Sequence, residues 1–109
     1  MPTLVIRGID PHKLVAGSSQ WIETLADICD CGTDNFTIEF VQSIGLAPGR
    51  LVHAYPFIEV GWFDRGKETR DRFAFACSEF IRSAGIEEAE IVFVDYDPQR
   101  YYINGKPCG

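Results

Sequence analysis

Pro2 stands directly before a short β-branched run, Thr3-Leu-Val-Ile-Arg7. Once Met1 is cleaved, Pro2 is a secondary amine fixed at the end of a strand. An amine is a base only when unprotonated, and an apolar pocket lowers its pKa by penalising the charged form. A base poised near neutral pH suits removal of a proton next to a carbonyl. The plainer reading is that Pro2 only starts the strand. The other reactive groups are the thiols of Cys29, Cys31, Cys77 and Cys108. Cys29 and Cys31 are separated by one residue, with no second close pair, so the spacing does not support a zinc site and no metal is expected. Cys29 and Cys77 fall on apolar helical stripes and read as small core residues. The thiols are assigned no chemistry.

The scaffold for these groups is one domain, residues 1–109, because a chain of 109 residues is short for two cores. Its 46% apolar and 24% charged residues are those of a folded domain. The net charge of −6 argues against a nucleic-acid partner, whose phosphates demand clustered Lys and Arg, and against an anionic membrane surface. No stretch approaches the roughly 20 apolar residues of a membrane span. The N-terminus does not read as a signal peptide, since Arg7 interrupts a short apolar run. A cytoplasmic location is expected.

Along the chain, 3–7 reads as a strand. Asp10-Pro11 starts a helix, with Asp capping free amides and Pro at the first helical position. Leu14, Trp21 or Ile22, Leu25 and Cys29 continue it at helical spacing until Gly32 stops it. Residues 36–41 form a second strand. The breaker-rich stretch 43–50 opens a long loop. Residues 57–63 form a third strand, and Asp64 is placed to cap a helix over 67–84. Its stripe is Phe73, Cys77, Phe80, Ile81 and Ala84, and Gly85 ends it. Residues 91–94 form the fourth strand. Tyr101-Tyr102-Ile103 adds a short terminal strand that turns at Asn104-Gly105.

The order strand, helix, strand occurs twice. The halves, about 1–54 and 55–109, register at an offset of 54, which sets Asp10 on Asp64, Leu4 on Ile58, and Ile38 and Phe40 on Val92 and Val94. Right-handed crossovers then give an α+β fold: tandem β-α-β units, a four-stranded mixed sheet, and two helices on one face. The runs Leu4-Val-Ile6, Phe57-Ile58 and Ile91-Val-Phe-Val94 read as strands buried on both faces. With only two helices to cover them, another subunit is expected on the bare face. The alternative cover is the 43–56 segment.

An N-terminal proline on the first strand, two β-α-β units of about half the chain each, and this sheet resemble the tautomerase superfamily, including the macrophage migration inhibitory factor and 4-oxalocrotonate tautomerase families. The resemblance covers the whole chain. It is strongest in Phe57-Ile-Glu-Val-Gly-Trp-Phe63, the helix that follows, Glu90-Ile-Val-Phe-Val-Asp-Tyr-Asp97 and the terminal Asn-Gly turn. Within the superfamily the chain is most similar to a small bacterial branch known mainly as a domain of unknown function. The resemblance implies a homotrimer with an active site at each subunit boundary. It implies acid–base chemistry by Pro2 on a small-molecule keto/enol acid, without metal or cofactor. A cation would hold the substrate carboxylate and stabilise the enolate.

The chain departs from the family in that cation. The short members carry an Arg in the second strand, where Glu39 stands here. The Arg at the start of their first helix has no counterpart, His12 lying nearest. The Lys that the migration-inhibitory-factor branch carries before its second strand falls near Thr33. Replacement candidates are Arg7 at the end of the first strand, Arg65 before the second helix, and Arg50 and His53 on the loop. Tyr101 and Tyr102 lie in the terminal segment, which lines the pocket in larger family members. Trp62 reads as pocket wall or interface. For each, the plainer reading is a solvated or packing residue. The run Lys67, Glu68, Arg70, Asp71 and Arg72 reads as the exposed face of its helix. The leading functional reading is a tautomerase-like isomerase. Its rivals are a non-catalytic trimer of the same fold that binds a small molecule or a protein, and a regulatory ligand-binding module.

Overall fold

The computed structural model describes residues 2–109. In chain order its elements are β1 (Thr3–Arg7), α1 (His12–Val15), α2 (Ser18–Cys29), β2 (Thr37–Val41), β3 (Ile44–Ala47), β4 (Arg50–His53), β5 (Phe57–Trp62), α3 (Lys67–Ser83), β6 (Glu90–Asp95), β7 (Tyr102–Ile103) and β8 (Lys106–Pro107). Four strands form one mixed sheet in the order β2-β1-β5-β6. β1 is parallel to β2 and β5 to β6, while the central pair is antiparallel. Each parallel pair needs a crossover, and α2 and α3 supply the two. The α+β architecture read from the sequence is the one observed.

Both helices cover one face of the sheet. Leu4, Ile6, Ile58, Val60 and Trp62 point into that layer from the central strands, and Leu25, Cys29, Phe73, Cys77 and Ile81 meet them from the helices. Trp21 on α2 stacks on Phe80 of α3 with ring centroids 4.5 Å apart, which locks the helix pair.

The helix boundaries differ from those read in the sequence. The first helix is not continuous: α1 holds four residues and α2 begins after Gly17. The Phe80 ring packs so closely on Gly17 that a Cβ there would lie 2.7 Å from it. Close approach of the second helix, which the spacing within the first cannot reveal, makes the break. The helix also ends at Cys29, before Gly32, because Asp30 itself takes the left-handed position (φ 54) and returns its N–H to the Ala26 and Asp27 carbonyls. Nor is Asp64 the cap of α3. It accepts from the Gly66 N–H at 3.0 Å and approaches Arg70, so it closes the turn that precedes the helix.

The repeat register also differs. Leu4 pairs with Ile38 and Ile58 with Ile91, so Ile38 and Phe40 correspond to Ile91 and Phe93, not to Val92 and Val94. The offset of 54 holds for the first strands and shortens by one in the second, and a one-residue slip exchanges the faces.

The sheet face away from the helices is bare in the single chain. Its rows are Thr37-Thr3-Gly61-Val94, Glu39-Val5-Glu59-Val92 and Val41-Arg7-Phe57-Glu90. The runs put Val5, Phe57, Val92 and Val94 on this face as read, and the charged residues Glu39, Glu59, Arg7 and Glu90 that flank them sit among these apolar side chains. The long loop does not cover this face either. It forms the β3–β4 hairpin, with a Pro48-Gly49 turn (Gly49 φ +72), and its Ile44, Leu46 and Leu51 stay exposed. The terminal turn forms as read: Asn104 and Gly105 both take positive φ and join β7 to β8. No helix is long and apolar enough to cross a membrane among the described residues.

Candidate active site

Pro2 lies one residue before β1 with its side chain fully buried. Its carbonyl accepts from the Thr37 N–H at 3.1 Å and so extends the β1–β2 ladder. Across the other edge Thr3 faces Gly61, and the next step of that antiparallel register sets Pro2 beside Trp62. Met1, on whose removal a free Pro2 amine depends, lies outside the described residues.

Trp62 has no solvent exposure. Its indole N–H donates to Asp95 Oδ1 at 2.9 Å, and its ring meets Phe73 and Phe93 in the core. The Arg65 guanidinium lies 5.6 Å from the Trp62 ring centroid and donates to the Phe63 carbonyl at 3.3 Å. Arg65 is thus held, half-buried, at the mouth of α3 and at the Pro2 end of the sheet. Its charge reaches Cys29, the last residue of α2. Burial raises the Cys29 pKa, Arg65 acts against that rise, and Cys31 adds to it.

On the opposite face of the same end, Phe63, Tyr96 and Tyr101 form an aromatic cluster with centroids 5.2 to 6.1 Å apart. The Tyr96 phenol occupies the space a side chain at Gly61 would need. The sequence offered a signal for this contact: a glycine inside a strand marks close approach of another group. Phe63 and Asp95 meet partners more than 30 residues away, Tyr96 and Tyr101 for the one and Trp62 for the other, so no local window brings them together.

Pro2, Trp62, Arg65 and Tyr101 therefore belong to one end of the sheet. The other candidates do not. Arg7 closes the far end of β1, five residues from Pro2 and about 17 Å away at strand rise, with its guanidinium 4.4 Å over the Phe57 ring. Glu39 sits exposed in the middle row of the bare face, opposite Val5. His53 bonds the Gly8 carbonyl at 2.9 Å at the far end, and Arg50 is exposed near the hairpin turn. Tyr102 is exposed on β7. Among the described residues no group of three or more His, Cys, Asp or Glu side chains is placed to hold a metal ion. An open cleft of about 800 Å³ lies elsewhere, on the outer surface between α2 and α3.

This geometry can do one kind of chemistry. A desolvated amine at Pro2 would accept a proton, and a fixed guanidinium beside an aromatic wall would hold an anion.

The chain is similar to solved structures over nearly its full length. A domain of unknown function (DUF1904) from Sebaldella termitidis is 31% identical with a TM-score of 0.89, covering 98% of this chain and 99% of that one. A macrophage migration inhibitory factor-like protein from Entamoeba histolytica is 13% identical with a TM-score of 0.72, covering 97% of each chain. A fused 4-OT, solved as an asymmetric trimer, is 16% identical with a TM-score of 0.76, covering 97% of this chain and 95% of that one. At those last two identities the likeness is one of fold. No curated protein sequence matches. The family model for the domain of unknown function DUF1904 matches residues 1–107, so the chain belongs to the DUF1904 family, a branch of the fold that the migration-inhibitory-factor-like and 4-OT proteins share.

Proposed function

We propose that this chain is a cofactor-independent tautomerase-like isomerase, acting on a small keto or enol acid with Pro2 as general base. The observation that carries the reading is the position of Pro2 at the head of a central strand, on the sheet end that also holds Arg65 and Trp62. Burial penalises the ammonium form and keeps the amine available as a base. The amine removes a proton from the carbon next to the carbonyl and returns it at the other end of the enol system. Arg65 holds the carboxylate and offsets enolate charge. Tyr101, with Phe63 and Tyr96, supplies an apolar wall.

A homotrimer is part of the proposal. Support comes from the asymmetric trimer of a fused 4-OT of this fold and from the exposed leucines of the β3–β4 arm. The test is ketonisation of phenylenolpyruvate by native-start protein whose mass shows that Met1 is gone. Pro2→Ala should lose most of the rate while keeping the fold. Equal rates, or a native protein that retains Met1, sink the mechanism. The second reading is a non-catalytic trimeric binding protein of the same fold. It is favoured by the complete enclosure of Pro2 in the single chain and by Glu39 where the resemblance to the short tautomerases implies an Arg. Absence of keto–enol activity over a broad panel of acids supports it.

A further inference from the structure

We infer that Cys29 and Cys31 form a reversible disulfide, a peroxide-oxidised site at the C-terminal end of α2. Cys29 is the last residue of that helix and 7% exposed, and Cys31 is half-buried against the same core. The Cα–Cα distance across a single residue depends only on that residue's φ and ψ. Asp30 has φ 54 and ψ 52. These angles mirror the right-handed helix, so the separation is that of two helical steps, about 5.4 Å from the helix rise and radius. Disulfides span Cα separations of roughly 4.4 to 6.8 Å. The backbone holds this geometry without help from sulfur: the Asp30 N–H bonds the Asp27 carbonyl at 3.2 Å and the Cys31 N–H bonds the Ala26 carbonyl at 3.0 Å.

The chemistry balances with hydrogen peroxide as oxidant. The sulfur of Cys31, the more open of the two, attacks the peroxide. An S–O bond forms, the O–O bond breaks, one water leaves, and Cys31 becomes a sulfenic acid. The Cys29 sulfur then attacks the Cys31 sulfur. The S–S bond forms, the S–O bond breaks, and the Cys29 proton leaves with the hydroxyl as a second water. Two thiols are oxidised by two electrons and one peroxide is reduced. A ring closed over one intervening residue is strained, and strained disulfides are the labile, readily reduced ones.

The experiment treats the reduced full chain with hydrogen peroxide, alkylates the remaining thiols, and maps peptides without reductant. The expected result is loss of two of the four alkylatable thiols, a Cys29–Cys31 peptide lighter by two hydrogens, and full recovery with dithiothreitol. Cys31→Ser should leave Cys29 alkylatable, and Cys108→Ser should leave the pairing intact. The inference is overturned if Cys31 stops at sulfenic or sulfinic acid while Cys29 stays free, or if Cys29 pairs with Cys77. The readout is covalent, so it stands or falls apart from the isomerase activity.

Discussion

The Trp62 indole N–H and the Asp95 carboxylate, paired residues on β5 and β6, share a hydrogen bond of 2.9 Å. The indole is fully buried, so this bond fixes the orientation of the ring on which the Arg65 guanidinium rests. Asp95→Ala leaves a buried donor without its acceptor and should cost about 1–3 kcal/mol. Asp95→Asn keeps an acceptor oxygen and should recover most of that loss. Urea unfolding followed by tryptophan fluorescence measures both. Equal losses for the two variants would show that the bond does not hold the indole.

In the proposed mechanism Arg65 holds the substrate carboxylate. Arg65→Ala should lower kcat/KM for a keto acid by roughly 10–100-fold, the scale of one charge-assisted pair. Arg65→Lys keeps the charge without the planar fork and should fall between. The methyl ester of the same acid is the control. If acid and ester lose activity equally, Arg65 acts on the fold and not on the carboxylate.

Gly61 and Tyr96 should behave as one unit. A methyl at position 61 would overlap the Tyr96 phenol, so Gly61→Ala must push that ring off Phe63 and Tyr101. Overpacking of this kind costs about 1–3 kcal/mol. With Tyr96→Ala in place the space is open, and the added methyl should cost much less. A double-mutant cycle in urea reads the coupling. Additive losses would mean that Tyr96 does not depend on the missing side chain at 61.

Much of this fold was legible because the chain's local rules agree with its global arrangement. The strand at 3–7, the helix over 67–83 and the Asn104-Gly105 turn all follow from periodicity and turn chemistry. The β3–β4 hairpin was missed although Pro48-Gly49 is a turn dipeptide, because its strands are short and its leucines are not covered by the rest of the chain. The break at Gly17 depends on Phe80, more than 60 residues away, and no window along the first helix contains it. The candidate site divided in the same way. Pro2, Trp62, Arg65 and Tyr101 share one end of the sheet, while Arg7 and Glu39 are separated from it by strand length and row, which single residues do not announce.

Stability should fall on the alkaline side. Burial raises the Cys77 thiol far above its ordinary pKa and raises Cys29 as well. Below the pKa of the unfolded chain both states hold neutral thiols, and the fold loses nothing. Above it the unfolded chain ionises while the buried Cys77 thiol does not, so stability drops by about 1.4 kcal/mol per pH unit for that thiol, and Cys29 acts in the same direction. Urea midpoints from pH 7.5 to 10 under reducing conditions should therefore decline above roughly pH 8.5. Cys77→Ala should lower stability by a constant amount and flatten the slope. An unchanged slope would assign the decline to other groups.

Leu46 and Leu51 face each other across the β3–β4 arm, 83% and 70% exposed. Side chains of this size gain about 1.5–3 kcal/mol each when fully covered, and nothing within the described chain covers them. If the proposed trimer uses this arm, replacing both with Glu should shift sedimentation from trimer to monomer at the same protein concentration. The circular dichroism and urea midpoint of the dissociated chain should stay close to expectation for an intact fold, since neither leucine belongs to the core between sheet and helices. A double variant that still sediments as a trimer would move the association surface to Val92 and Val94, the exposed valines of the bare face.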